Sequence, residues 1–237
     1  MSTVYVGLDV HSKMTVYVVE DAEGKVTAEG SAPTHREGIH SMIEKHALEA
    51  GTRVCMESGA QAGIVCDALA ERGLIPVVVD ALEVRKKARR MGQKTDRRDA
   101  FEICDGLRRD IWDSIVFMPS PAIRRLRRIL SRRRHFVRLG TQQINAARFL
   151  FRIEGLSHKS PTCLTTAGGG EKGMADESAT HIREHLALHS KVWEVANGHI
   201  STLEKELRLA LEPVESIMDI LTSAPGVGLI TARRDGD

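Results

Sequence analysis

The sequence has few aromatic residues, no paired cysteine motif and no long apolar run. Phe, Trp and Tyr make up 4% of its 237 residues, which argues against a surface that stacks single-stranded bases. Its four cysteines show no C-x-x-C spacing, which argues against a zinc ribbon or a disulfide scaffold. Neither a membrane-spanning run nor a signal peptide is evident, so we expect a cytoplasmic protein without a membrane segment. The hydrophobic fraction of 42% predicts a folded chain of one or two domains.

Acidic residues are missing between Ser114 and Ile153. Between Arg85 and Arg152, 20 Lys and Arg stand against 6 Asp and Glu, although the whole chain has a net charge of only +2. Such a segment repels itself unless a polyanion neutralises it, and guanidinium groups suit phosphate oxygens. The alternative is a solvated helix face whose partners are acids elsewhere in the fold. We predict nucleic-acid binding through Lys94, Arg97, Arg98, Arg124, Arg125, Arg127, Arg128, Arg132, Arg133, Arg134 and Arg138.

Residues 1–112 have the pattern of an α/β domain. Three short β-branched runs are separated by turns, and two helical patterns then alternate with two further apolar runs. A three-strand meander that continues into alternating helices and strands predicts a mixed sheet with helices on its faces. The strands are predicted at 4–10, 15–19, 25–31, 53–56 and 74–79, and the helices at 36–50 and 60–72.

Residues 113–216 are predicted to form a basic helical region. Apolar positions recur at alternating steps of three and four over 121–154 and again over 182–221. A Gly- and Thr-rich stretch at 157–175, predicted to be a flexible loop, separates the two patterns. Two such seams predict a coiled coil, either a helical hairpin within one chain or an interface between copies.

Four carboxylates are the candidates for chemistry. Asp9 ends the first predicted strand, Glu57 follows the RVCM strand, and Asp96 and Asp99 share one helical face at spacing i, i+3. Carboxylate clusters bind Mg²⁺, and two such ions clamp the attacking and leaving oxygens of a phosphodiester. Each acid also has a purely structural interpretation, as a strand end, a helix cap or a first-turn acid.

Five segments in this order resemble the DEDD transposases of the IS110 family of insertion sequences. They are GLDVHSK from Gly7, CMESGA from Cys55, KTDRRDA from Lys94, the Arg-rich helical segment, and LTSAPGVGLITA from Leu221. GLDVHSK alone is weak evidence for this family, since actin-like ATPases open with a similar motif. KTDRRDA at this distance from GLDVHSK is specific to the family. The resemblance extends over essentially the whole chain.

The resemblance implies an N-terminal RuvC-like domain with a ribonuclease H fold. Asp9, Glu57, Asp96 and Asp99 would be the catalytic acids and would bind Mg²⁺ as a two-ion site. The helical region would be a coiled coil that forms a dimer or tetramer. The enzyme would cut and rejoin DNA of the element ends and target, directed by a guide (bridge) RNA.

The resemblance also implies a nucleophilic serine downstream of the APGVG segment. No serine of this chain matches it, because Ser223 precedes the segment. Residues 217–237 are therefore expected to be the start of a truncated C-terminal transposase domain, and the chain alone is expected to bind nucleic acid and metal without completing strand exchange. The alternatives are a RuvC-type structure-selective nuclease and a non-catalytic nucleic-acid-binding remnant. An actin-like ATPase fits less well, because no glycine-rich phosphate turn follows Asp9.

Overall fold

The structure, a computed structural model, describes residues 3–87, 95–155 and 182–212, together with Ser223. The chain divides into two compact units, Met1–Pro121 and Ala122–Asp237. The predicted loop at 157–175 lies outside the described residues, as do residues 217–237 except Ser223.

The first unit is built on a five-stranded mixed sheet. The strand order is β3-β2-β1-β4-β5, in which β1 pairs antiparallel with β2 and parallel with β4. The β2–β3 pair is antiparallel and the β4–β5 pair is parallel, so the predicted mixed sheet is confirmed. The strands are β1 Val4–Val10, β2 Met14–Asp21, β3 Val26–Pro33, β4 Arg53–Glu57 and β5 Ile75–Val79.

Helices cover both faces of this sheet. Because side chains alternate along a strand, Leu8 of β1 joins a core with helices α1 and α2, whereas Cys55 of β4 joins a second core with helices α3 and α4. Gly73 follows the C-cap of α2 and adopts the left-handed region at φ +77°, so it terminates this helix as predicted. The helices are α1 Arg36–Lys45, α2 Ala62–Glu71, α3 Ala81–Lys87 and α4 Asp96–Arg108.

The segment after α4 packs onto the sheet and belongs to the first unit. Ile115 forms an isolated bridge with Val79, and the Val116 amide donates to the Val78 carbonyl at 2.7 Å. Glu83 of α3 holds this segment by accepting from the amides of Asp113 (2.9 Å) and Ser114 (2.7 Å). The compact unit therefore continues to Pro121, whereas the sequence pattern placed the boundary at 112.

The described residues of the second unit form two long helices, α5 Pro121–Ile153 and α6 Arg183–Leu209. They run antiparallel, because Phe151 packs with Leu186 at one end while Arg125 pairs with Glu206 at the other. This arrangement is a helical pair within one chain, and supercoiling remains a prediction. Among the described helices, none is both long and apolar enough to cross a membrane.

Candidate active site

Asp9 lies near the end of β1, the central strand of the sheet, where its side chain is only 16% exposed. One carboxylate oxygen, Oδ2, is buried and has no well-aligned hydrogen-bond donor among the described residues, although His11 Nε2 lies 3.1 Å away. A buried carboxylate oxygen that is incompletely satisfied is costly. A bound cation would satisfy this oxygen.

Helix α4 brings a pair of acids to the same strand. Thr95 caps the helix, since its hydroxyl accepts from the Arg98 amide at 3.3 Å. Asp96 and Asp99 follow in the first turn, where the partial positive charge of the helix N-terminus favours carboxylates. The structural interpretation of these two acids is therefore compatible with a role in metal binding.

Gly7 allows α4 to approach β1 closely. A Cβ atom at Gly7 would lie 2.3 Å from the Ala100 carbonyl oxygen and 2.5 Å from the Cys104 amide nitrogen. The Cys104 thiol also donates to the Tyr5 carbonyl at 3.3 Å. The missing side chain at Gly7 thus permits a direct contact of helix and strand two residues before Asp9.

His11 connects the two acidic segments. Its Nε2 lies 3.1 Å from Asp9 Oδ2 and 3.5 Å from Asp96 Oδ2. One potential ligand atom from each of these three residues lies within 4.8 Å of the other two. The donor set of two carboxylates and one imidazole suits a divalent cation.

The electrostatics of Asp9 also favour a cation. Burial raises the pKa of Asp9 above its ordinary value; His11 counteracts this, whereas the negative charges of Asp99 and Asp96 raise the pKa further. Asp99 therefore contributes to the field at Asp9. A divalent cation would relieve both the desolvation and the repulsion among these carboxylates.

Glu57 is the last residue of β4, the parallel neighbour of β1. Leu8 of β1 pairs with Met56 of β4. The next residue on each strand is an acid, Asp9 on β1 and Glu57 on β4, so the two acids lie side by side near the ends of adjacent strands. Glu57 and Asp99 are not in the group within 4.8 Å. The structure thus brings Asp9 and Asp96 together directly, and the four-acid site remains a prediction.

Sequence reasoning assigned no role to His11. The signal was present, because His11 stands two residues after Asp9 and directly follows the strand, and residues i and i+2 of an extended chain lie on the same side.

The predicted nucleic-acid-binding residues differ in whether the structure gives them an acidic partner. Arg133 forms an ion pair with Glu204 (2.7 Å) and Arg125 with Glu206 (3.3 Å), which links α5 to α6. Arg97 pairs with Glu29, Arg98 pairs with Glu102, and Lys94 lies outside the described residues. Arg124 is half-buried, Arg127 is exposed, and both make further interactions. Four exposed arginines of α5 form no ion pair among the described residues, namely Arg128, Arg132, Arg134 and Arg138.

The first unit has the strand order, helix placement and acidic central strand of a ribonuclease H or RuvC-like α/β domain, and a helical unit follows it. A sequence model of the DEDD transposase domain of IS110-type insertion sequences, described as "Transposase", matches residues 6–152. The match extends over more than half of the chain, and the protein belongs to this family of transposases. A comparison with curated proteins finds no match.

Proposed function

We propose that the chain acts in insertion-sequence transposition, with its α/β unit binding DNA and divalent metal for strand cleavage and rejoining. Asp9, Glu57, Asp96 and Asp99 would form the metal site, and Mg²⁺ bound as a pair of ions is the proposed cofactor. The observation that carries the proposal is the cluster of Asp9, His11 and Asp96, whose potential ligand atoms lie within 4.8 Å of one another and include the buried Asp9 Oδ2.

The protein's contribution is to hold these side chains in place. Strand β1 fixes Asp9, and the Thr95 cap fixes the first turn of α4 that carries Asp96 and Asp99. When bound, the metal would neutralise phosphate charge and activate the attacking oxygen. A rigid strand and a capped helix hold ligands in position better than loops do.

The exposed arginines of α5 are the proposed binding surface for DNA and guide RNA. Arg128 and Arg132 are spaced i, i+4, as are Arg134 and Arg138, so each pair lies along one face of the helix. Their side chains are exposed and have no acidic partner among the described residues. Arg125 and Arg133 serve helix packing instead.

A self-associating role of the helical unit is supported by apolar residues on the outside of α6. Leu188, Val192 and Val195 follow one another at steps of four and three and are 62%, 40% and 61% exposed. Leu209 is 64% exposed at the same heptad position as Leu188 and Val195. This stripe is a candidate contact with another copy in a dimer or tetramer.

The metal part of the proposal is tested by measuring DNA affinity with and without Mg²⁺. We expect Mg²⁺ to tighten binding of a DNA duplex by the wild-type chain, because a cation held by the acids would offset their repulsion of the DNA phosphates. Asp9→Asn should lose this increase and keep the binding seen without Mg²⁺. An equal Mg²⁺ response in wild type and variant would contradict the proposed site.

The arginine surface is tested by the salt dependence of the same binding. Replacing Arg128, Arg132 and Arg138 by Gln should lower the salt slope by about one for each phosphate that the arginines no longer neutralise. The matched control is Arg133→Gln, which removes the ion pair with Glu204 and should lower the thermal midpoint while leaving the slope nearly unchanged. A triple variant with the wild-type slope would show that these arginines contact solvent only.

A further inference from the structure

The imidazole of His11 lies between the two carboxylates that the structure brings together. The tight turn between β1 and β2 fixes the backbone of His11, since its amide donates to the Met14 carbonyl at 3.1 Å. His11 directly follows β1, two residues after Asp9, and its Nε2 lies 3.1 Å from Asp9 Oδ2 and 3.5 Å from Asp96 Oδ2. The side chain is 51% exposed, so an ion can reach it from solvent.

The position of Nε2 matches that of a ligand. The three atoms lie within 4.8 Å of one another, a spacing at which one cation can contact all three after small adjustments of the side chains. A site of carboxylates alone suits Mg²⁺, which strongly prefers oxygen ligands. An imidazole nitrogen suits first-row transition metals, whose affinity for such ligands rises from Mn²⁺ towards Cu²⁺, and Mn²⁺ accepts a nitrogen ligand more readily than Mg²⁺ does.

We propose that His11 is a metal ligand of this site and raises its affinity for Mn²⁺ and related transition metals more than its affinity for Mg²⁺. The inference rests on the proposed function, in which Asp9 and Asp96 bind a divalent cation. It adds a nitrogen donor and a metal preference that the four acids do not supply. Asp9 provides the buried oxygen, Asp96 the oxygen at the helix N-terminus, and His11 the nitrogen at the exposed side.

The experiment measures Mn²⁺ binding to the full chain by the electron spin resonance signal of free Mn²⁺, and Mg²⁺ binding by competition. The variants are His11→Asn and Asp9→Asn, and the control is His185→Asn, which alters an exposed histidine of α6. We expect His11→Asn to lower Mn²⁺ affinity about tenfold, a typical cost of disturbing one metal-binding partner. Mg²⁺ affinity should change by less than about threefold, since nitrogen is a poor ligand for this ion.

A second readout reports the bond itself. The spin-echo spectrum of bound Mn²⁺ should contain a coupling to imidazole nitrogen in the wild type and in His185→Asn, and this coupling should disappear in His11→Asn. Thermal unfolding of each variant checks that the chain is folded.

The outcomes separate this inference from the proposed function. If the wild-type chain binds neither ion, the proposed metal site fails and the His11 inference fails with it. If the wild type binds both ions without a nitrogen coupling, and His11→Asn keeps the wild-type ratio of affinities, His11 is not a ligand although the acidic site stands. Tighter Mn²⁺ binding by His11→Asn would also overturn the inference, because His11 would then compete with the metal for the acids.

Discussion

Gly7→Ala tests whether the close packing of α4 on β1 builds the site. The added Cβ would lie 2.3 Å from the Ala100 carbonyl oxygen, 2.5 Å from the Cys104 amide nitrogen and 2.6 Å from Cys104 Cβ. Carbon–oxygen contacts are normally no shorter than about 3.3 Å, so helix and strand have to separate by roughly 1 Å. The atoms in the way are mainly backbone, and no rotamer change can relieve the contact.

The expected cost is about 1–3 kcal/mol of unfolding free energy, the usual range for overpacking. Metal affinity should fall by about tenfold or more, because ligands need to be held within about 0.5 Å of their productive positions. Urea unfolding gives the first quantity and Mn²⁺ titration the second. The control is Gly59→Ala, whose Cβ meets no atom within 4 Å and which should change stability by less than about 0.5 kcal/mol. Wild-type stability and metal affinity in Gly7→Ala would refute the reasoning.

Three further predictions concern the scaffold. The hydrogen bond from Lys87, followed by those from the Asp113 and Ser114 amides, lowers the pKa of Glu83 from 4.5 to about 2. The stability that the Glu83 carboxylate contributes is therefore complete above pH 4.5 and is lost as the pH falls toward 2. In Glu83→Gln, the midpoint of urea unfolding should depend less on pH over that range than it does in the wild type. Arg108→Ala should have a thermal midpoint well below that of Arg97→Ala. The reason is that Arg108 pairs with the fully buried Glu20, whereas Arg97 and its partner Glu29 are exposed. Equal thermal midpoints of the two variants would contradict this. Gly140→Ala should raise the stability of the helical unit by up to about 1 kcal/mol, since the new Cβ would meet Trp193 at an ordinary 3.6 Å; a lower thermal midpoint would contradict it.

The sheet was predictable because its strands carry short β-branched runs separated by turn residues. Periodicity also predicted α5, which begins at Pro121 and ends at Ile153. The first helix ends earlier than its pattern suggested, at Lys45, because Ala47 adopts a positive φ of 46°. Local periodicity does not encode such a backbone reversal.

The candidate site was predictable only in part. The acids were visible as strand-end and first-turn carboxylates, and KTDRRDA made the family recognisable. The role of Gly7 depends on which helix crosses β1, which is a long-range contact that the sequence pattern does not report. Arg133 has a different role from its neighbour Arg132 because it pairs with Glu204, which lies 71 residues further along the chain. This long-range contact is likewise not reported by the sequence pattern.

Asp9 and the first turn of α4 are proposed to hold a divalent cation, and every functional role suggested for the α/β unit depends on this ion. The most direct test is a crystal structure of the chain grown with Mn²⁺, with the ion located by its anomalous scattering. We expect a peak bonded to the carboxylates of Asp9 and Asp96, with Glu57 or Asp99 near a second peak. An ordered, Mn²⁺-saturated crystal without a peak between Asp9 and Asp96 would contradict the proposed site.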